Sequence, residues 1–318
     1  MPQITNDINL VADYLINNEI VAIPTETVYG LAASMNSSSA IQKVFEAKKR
    51  PLSNPLIVHV KDKTEVKKYV KYCPDKAQLL MDKFWPGPLT ILFLKNDNVS
   101  ELVTAGSPFV AIRVPNHPTT LQLLNQLNFP IVAPSANPFT RISPTTSQHV
   151  MNLFSNEFDY VLEGGKCSSG IESTIIGFEE NIPIVYRLGA IGISEIEQLV
   201  GKVEHRTATE RKVPGTFKKH YSPRTPCIIS QNIEKEISIY KNKKIGLLLF
   251  KEKKVDVSLN TVKITLAPNG TTKEALTTLY SSLHWLDQQN LELIILEELP
   301  NDDFGNVIND RLRRASTN

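Results

Sequence analysis

Short β-branched runs alternate with amphipathic stretches from the first residues onward. Apolar positions predict a helix near residues 5 to 18, a strand at Ile20 to Ile23, a helix near 38 to 48 and a strand from Leu56 to Val60. Further strands are expected at Thr90 to Leu94, Phe109 to Val114, Ile131 to Ala133, Ser173 to Gly177 and Ile184 to Arg187. Ser194 with Glu197 three residues later reads as a capping box opening the last helix of this half. Strands near 90 to 114 and 173 to 187 follow one another too closely for crossover helices. A mixed sheet follows, since only antiparallel neighbours can be joined so tightly.

Between about 202 and 225 the apolar period disappears and charge, Pro and Thr take over, so this stretch reads as a basic linker. The pattern then restarts with a strand near 226 to 229 and another at Lys244 to Phe250. A helix opened by Thr271 with Glu274 as capping partner comes next, then a strand at Glu292 to Leu296 and a closing helix near 303 to 315. Leu276, Leu279, Tyr280, Leu283 and Leu286 form one stripe on the first of these helices, as packing on a sheet requires. The expected organisation is an α/β chain: a mixed, twisted open sheet with flanking helices over 1–201, a linker over 202–225, and a smaller three-layer α/β domain with a mainly parallel sheet over 226–318.

Composition narrows the class. With 318 residues, 41% hydrophobic and 21% charged, the chain has the make-up of a globular protein of about two domains. No stretch approaches the roughly 18 uncharged apolar residues of a membrane span, and the first residues lack a signal-peptide pattern, so a cytoplasmic location away from membranes is expected. Cys73, Cys167 and Cys227 are far apart and form no C-x-x-C pair, which argues against disulfides and zinc modules. A net charge of +2 is too mild to signal nucleic-acid binding by itself.

The familiar nucleotide, metalloprotease and hydrolase signatures are absent; Gly164 to Gly170 has phosphate-loop composition at the wrong spacing. Polar clusters instead sit at strand ends. Thr25, Glu26, Thr27 and Tyr29 follow a buried strand directly, the usual position of a ligand crevice in an open α/β sheet, although a Thr-capped turn would look the same. Lys48, Lys49 and Arg50 precede two prolines and a strand bearing His59; cations closing a helix would also explain them. Arg113 stands in an apolar strand with Ile112 and Val114 facing the other way, so it must meet solvent or an anion. The segment 133–145 gathers Ser, Asn and Pro after a strand, Ser173 and Thr174 follow a Gly-rich turn, and Arg187 ends a strand before another turn. Trp85 to Thr90 reads as a rigid structural turn.

As an ordered set, PTETVYGL, the K-x-R-P of Lys48 to Pro51, NPLIVHV, WPGPLT, IRVP, APSAN with SPT, GIESTI and the R-x-G of Arg187 to Gly189 resemble the motifs of the YrdC-type threonylcarbamoyl-adenylate synthases. The basic segment 214–223 and the domain after it are similar to the linker and accessory domain of that family's long form, with Thr216 and Phe217 where the family more often has Met and Tyr. The resemblance implies a nucleotidyltransferase that condenses L-threonine, bicarbonate and ATP to threonylcarbamoyl-AMP and pyrophosphate for tRNA modification. It implies that Thr27, His59, Arg113, Ala133 and Ser173 hold threonine. ATP then falls to Lys48, Arg50, Asn54, Ser135, Asn137, Ser143, Arg187 and Tyr221, with Lys48, Arg50 and Arg187 nearest the reacting phosphates. Magnesium would ride on the triphosphate with no dedicated protein ligands. The implied partners are a threonylcarbamoyl-transferase machinery downstream and tRNA or other double-stranded RNA; a non-catalytic RNA-binding module is the alternative.

Overall fold

The computed structural model describes residues 1–206, 213–214, 219–255 and 260–317, so the centre of the expected linker, including Arg211, Lys212, Thr216, Phe217 and Lys218, lies outside the described residues. Two compact units emerge, residues 1–139 with 144–216 and residues 140–143 with 217–318.

In chain order the first unit contains β1 (Gln3–Thr5), α1 (Ile8–Ile16), β2 (Val21–Ile23), β3 (Gly30–Ser34), α2 (Ser38–Lys48), β4 (Ile57–His59), α3 (Asp75–Phe84), β5 (Leu89–Leu94) and α4 (Glu101–Thr104). It continues through β6 (Phe109–Arg113), α5 (Pro118–Gln126), β7 (Ile131–Val132), α6 (Ser147–Leu153), β8 (Tyr160–Leu162), β9 (Thr174–Glu179), β10 (Ile182–Arg187), α7 (Ile193–Val200) and β11 (Glu204–His205). These strands form one mixed sheet in the order β1-β8-β2-β3-β7-β4-β6-β5-β9-β10-β11. The crowded strands pair as expected, with β5–β6 and β9–β10 antiparallel, while β4–β6 and β5–β9 are parallel.

Alternation along these strands separates two faces. Val58, Ile91, Phe93, Val110, Ile112 and Ile176 point into the main apolar core. Ile57, Leu92, Ala111, Ile175, Ile184 and Tyr186 form a smaller cluster on the other face, which Val213 joins. The polar residues of interest lie in line with this second set.

Two local expectations are corrected. Helix α7 opens at Gly192, with no side-chain cap, so Ser194 is inside the helix and not its cap. Thr174 Oγ1 explains the early start: it donates to Ile191 O at 2.9 Å and accepts from Ile191 N at 3.1 Å, which fixes the residue before Gly192. The other capping box is half formed, because Thr271 Oγ1 accepts from Glu274 N but the Glu274 carboxylate turns to Asn269.

The second unit contains β12 (Cys227–Ser230), α8 (Ile233–Ile239), β13 (Ile245–Leu249), β14 (Thr261–Thr265), α9 (Thr272–Asp287), β15 (Leu293–Glu297) and α10 (Asp303–Ala315). Its sheet runs β12-β15-β13-β14, every pair parallel. Ile245, Leu247, Leu249, Leu293 and Ile295 pack with Ile233 of α8 on one face. On the other, a side chain at Gly246 would strike Leu286 of α9 and Leu291. The three layers follow from that alternation. No helix among the described residues is long and apolar enough to cross a membrane.

Candidate active site

Sheet register lays out the site. His59 on β4 is paired with Arg113 on β6, and Thr90 follows one step beyond the Ile91–Ile112 pair of β5 and β6. Thr90 is itself paired with Ile175 on β9, two residues after Ser173, and Arg187 on β10 is also opposite Ile175. Cross-strand partners share a face, so His59, Arg113, Thr90, Ser173 and Arg187 form one polar row beside the smaller apolar cluster. At about 4.8 Å per strand the row crosses roughly 19 Å.

Arg187 reaches this row through an irregularity. Alternation from Ile184 and Tyr186 would send residue 187 to the opposite face, but a register shift between Val185 and Arg187 returns it. Its guanidinium then donates to Ser173 O from Nε at 3.1 Å and from Nη2 at 2.8 Å, to Ser173 Oγ at 2.9 Å, and to Pro214 O at 3.2 Å. Ser173 Oγ also meets Thr90 Oγ1 at 2.7 Å. Gly189 closes the arrangement, because a Cβ there would lie 2.4 Å from both Ser173 C and Thr174 N.

The loop after β2 supplies a second group. Thr25 Oγ1 accepts the N–H groups of Thr27 and Val28 at 3.2 Å each and donates to Val28 O at 2.6 Å, a Thr-stabilised turn. The turn presents Thr27 Oγ1 to Arg113 Nη1 at 2.9 Å. It also places Glu26 Oε1 2.5 Å from Arg113 Nη2. Both members of that ion pair are buried, Glu26 at 5% exposure and Arg113 at 3%. Burial, reinforced by the Arg113 charge, pushes His59 down to about 3, so its ring is neutral at working pH.

A third group gathers around the end of α2. Lys49 adopts a left-handed conformation as C-cap, and the chain turns there. Lys48 Nζ, fully buried, donates to Ser135 O and Asn137 O at 2.5 Å each, while Lys48 O accepts from Phe139 N. Burial first, and the Arg50 charge second, hold the Lys48 ammonium well below the usual lysine range. Arg50 donates to Asn54 O at 3.2 Å and Pro55 O at 2.8 Å. The Asn54 amide is 1% exposed, and neither its oxygen nor its nitrogen has a hydrogen-bond partner among the described residues. The second and third groups adjoin, because Ala133 N donates to Ile57 O, Ala136 N donates to Tyr29 O, and Gly30 pairs with Ser135.

The structure thus brings Thr27, His59, Arg113, Ala133, Ser173, Lys48, Arg50, Asn54, Ser135, Asn137 and Arg187 into three neighbouring groups of the first unit. Ser143 and Tyr221 belong to the second unit, where Ser143 O meets His284 Nε2 at 3.1 Å and the Tyr221 ring stacks on Tyr280. Glu26 and Thr90 went without a role in the sequence reading. Thr90 could have been found from its register beside Arg113; Glu26 was in plain view between two threonines. The glycine-rich decoy has its amides committed elsewhere: Gly164 N and Gly165 N donate to Glu163, Cys167 N to Thr145 O and Ser169 N to Glu26 O. Burial pushes the Cys167 thiol up to about 12, so it offers no thiolate.

Comparison with known proteins identifies the family. A family model described as Sua5/YciO/YrdC, telomere recombination, matches residues 13–189, and one described as threonylcarbamoyl-AMP synthase, C-terminal domain, matches residues 191–317. Threonylcarbamoyl-AMP synthase of Bacillus subtilis is 36% identical over 98% of this chain and 94% of its own. The Schizosaccharomyces pombe synthase is 34% identical over 93% of this chain and 85% of its own. The crystal structure of Pyrococcus abyssi Sua5 complexed with L-threonine matches with a TM-score of 0.90 at 32% identity, covering 97% of this chain and 94% of that one. The chain belongs to the threonylcarbamoyl-AMP synthase family, in its two-domain Sua5 form.

Proposed function

We propose that this protein condenses L-threonine, bicarbonate and ATP to threonylcarbamoyl-AMP and pyrophosphate, as a nucleotidyltransferase serving tRNA modification. The observation that carries this reading is charge. Among the described residues of the first unit, four buried cations, Lys48, Arg50, Arg113 and Arg187, stand against two buried carboxylates, Glu26 and Glu172. Burying such a surplus is costly unless anions compensate it, and a triphosphate with an amino-acid carboxylate supplies them.

The chemistry asks for little beyond placement. Threonine binds as an ammonium and releases that proton to solvent; its free amine then attacks carbon dioxide, supplied by bicarbonate, and loses a second proton to give a carbamate, and a carbamate oxygen displaces pyrophosphate at the α-phosphorus. Reactants held in line, with developing charge met by fixed cations, account for catalysis without a protein nucleophile. In this reading Thr27, His59, Arg113, Ala133 and Ser173 hold threonine. Lys48, Arg50 and Arg187 neutralise the phosphates, and Asn54, Ser135 and Asn137 orient the nucleotide. The unpartnered Asn54 amide supports a ligand there, since it offers a donor and an acceptor that otherwise stay unmet. For Ser143 and Tyr221 the support is the resemblance alone. Among the described residues no three His, Cys, Asp or Glu group together as a metal site, and magnesium carried on the phosphates needs no such group.

Purified protein is expected to release pyrophosphate from ATP only with threonine and bicarbonate both present, and with no RNA in the reaction. Release that ignores bicarbonate would overturn the carbamate route, and no release at all would leave RNA binding as the reading to pursue.

A further inference from the structure

Glu26 and Arg113 form a buried pair with unmet hydrogen-bonding capacity on both sides. Glu26 Oε1 and Arg113 Nη2 meet each other at 2.5 Å, which leaves Glu26 Oε2 and Arg113 Nε with no hydrogen-bond partner among the described residues. At 5% and 3% exposure these atoms have almost no water to turn to. An orphaned buried acceptor beside an orphaned buried donor asks for one ligand that brings both a cation and an anion.

We propose that Glu26 is a specificity-determining residue that makes the Arg113 subsite read a zwitterion: the carboxylate of an α-amino acid on Arg113 and its ammonium on Glu26. This rests on the threonine reading above and refines it. A lone buried arginine would attract any small anion, including the bicarbonate that the same reaction consumes. With Glu26 within 2.5 Å the pair is neutral, so a simple anion meets attraction and repulsion from nearly the same distance. An amino acid laid antiparallel to the pair gains from both charges. His59, paired in register with Arg113, is neutral and does not alter that balance.

The test is calorimetric titration with threonine and with 3-hydroxybutanoate, which is threonine without its amine. The wild-type protein is expected to prefer threonine strongly. In Glu26→Gln the shape remains but the negative charge is gone, so threonine is expected to weaken at least tenfold while 3-hydroxybutanoate binds as well as before or better. Glu26→Asp, which keeps the charge, should preserve the preference. A variant that weakens both ligands in parallel would assign Glu26 a purely structural part and overturn the proposal. So would a wild-type protein that binds 3-hydroxybutanoate as tightly as threonine, a result available even if Glu26→Gln does not fold. Failure of the wild-type protein to bind threonine at all would instead count against the threonine reading itself.

Discussion

Lys48 has a lowered proton affinity that a bound nucleotide should raise. Its ammonium is fully buried against two carbonyl oxygens, and burial lowers its proton affinity well below that of an ordinary lysine. A bound triphosphate favours the charged form, so the proton affinity rises on binding. Between the free and bound pKa values the complex holds more protons than the free protein, so ATP binding takes up protons in that interval and not at lower pH, where Lys48 is already charged. Calorimetry in buffers of different ionisation heat reads this directly. Lys48→Met should abolish the uptake and weaken ATP by about 2 to 5 kcal/mol, roughly 30-fold to several thousand-fold. Identical heats in every buffer for the wild-type protein would exclude this role.

The elements show what pattern alone can and cannot carry. Gly189 ends the turn after β10 and lies against the start of β9 so closely that an added methyl would meet main-chain atoms of Ser173 and Thr174 at 2.4 Å. Gly189→Ala is expected to cost about 1 to 3 kcal/mol of overpacking, or roughly 2 to 12 °C in Tm for a unit of this size. Displacing Ser173 should lower pyrophosphate release as well; an unchanged melt with full activity would mean that the turn yields freely. Most strands and the ends of α2 and α10 were legible because β-branched runs and turn residues mark them directly. Arg113 was legible too, as a charge inside an apolar strand. Arg187 was legible as a strand end, but its face was not, because a one-residue bulge reverses the parity that alternation predicts. The expected cap at Ser194 failed for a related reason: a hydroxyl distant in sequence, Thr174, fixes where α7 begins. Likewise the stretch read as linker starts with β11, paired parallel to β10, and sends Val213 into the apolar cluster under the site.

At the level of the whole molecule, Tyr221 is firmly held although it lies in the stretch read as a linker. It is buried with a left-handed φ of 62°, its ring stacks on Tyr280 at 5.6 Å, and the Arg311 guanidinium lies 5.2 Å from the ring centre. Tyr221→Ala should therefore disturb the second unit itself, by about 3 to 5 kcal/mol for loss of a buried aromatic side chain, and should lower synthesis with it. Tyr221→Phe keeps the ring and separates the two effects. Hydrogen exchange in α9 and α10 reports the first and pyrophosphate release the second; exchange left unchanged in Tyr221→Ala would show that the ring adds nothing to its own unit. The strap of residues 140–143 has a different consequence, in time. It belongs to the second unit, where Thr140 O accepts from Ser222 N, Arg141 Nη1 donates to Pro223 O, and Ser143 meets His284 at a separation of 141 residues. At about 5 to 20 residues per second of synthesis, Ser143 waits roughly 7 to 28 s for His284 to be made. During that interval on the ribosome the nascent chain carries a loop that can already meet Ser222 and Pro223 for part of the time but not yet His284.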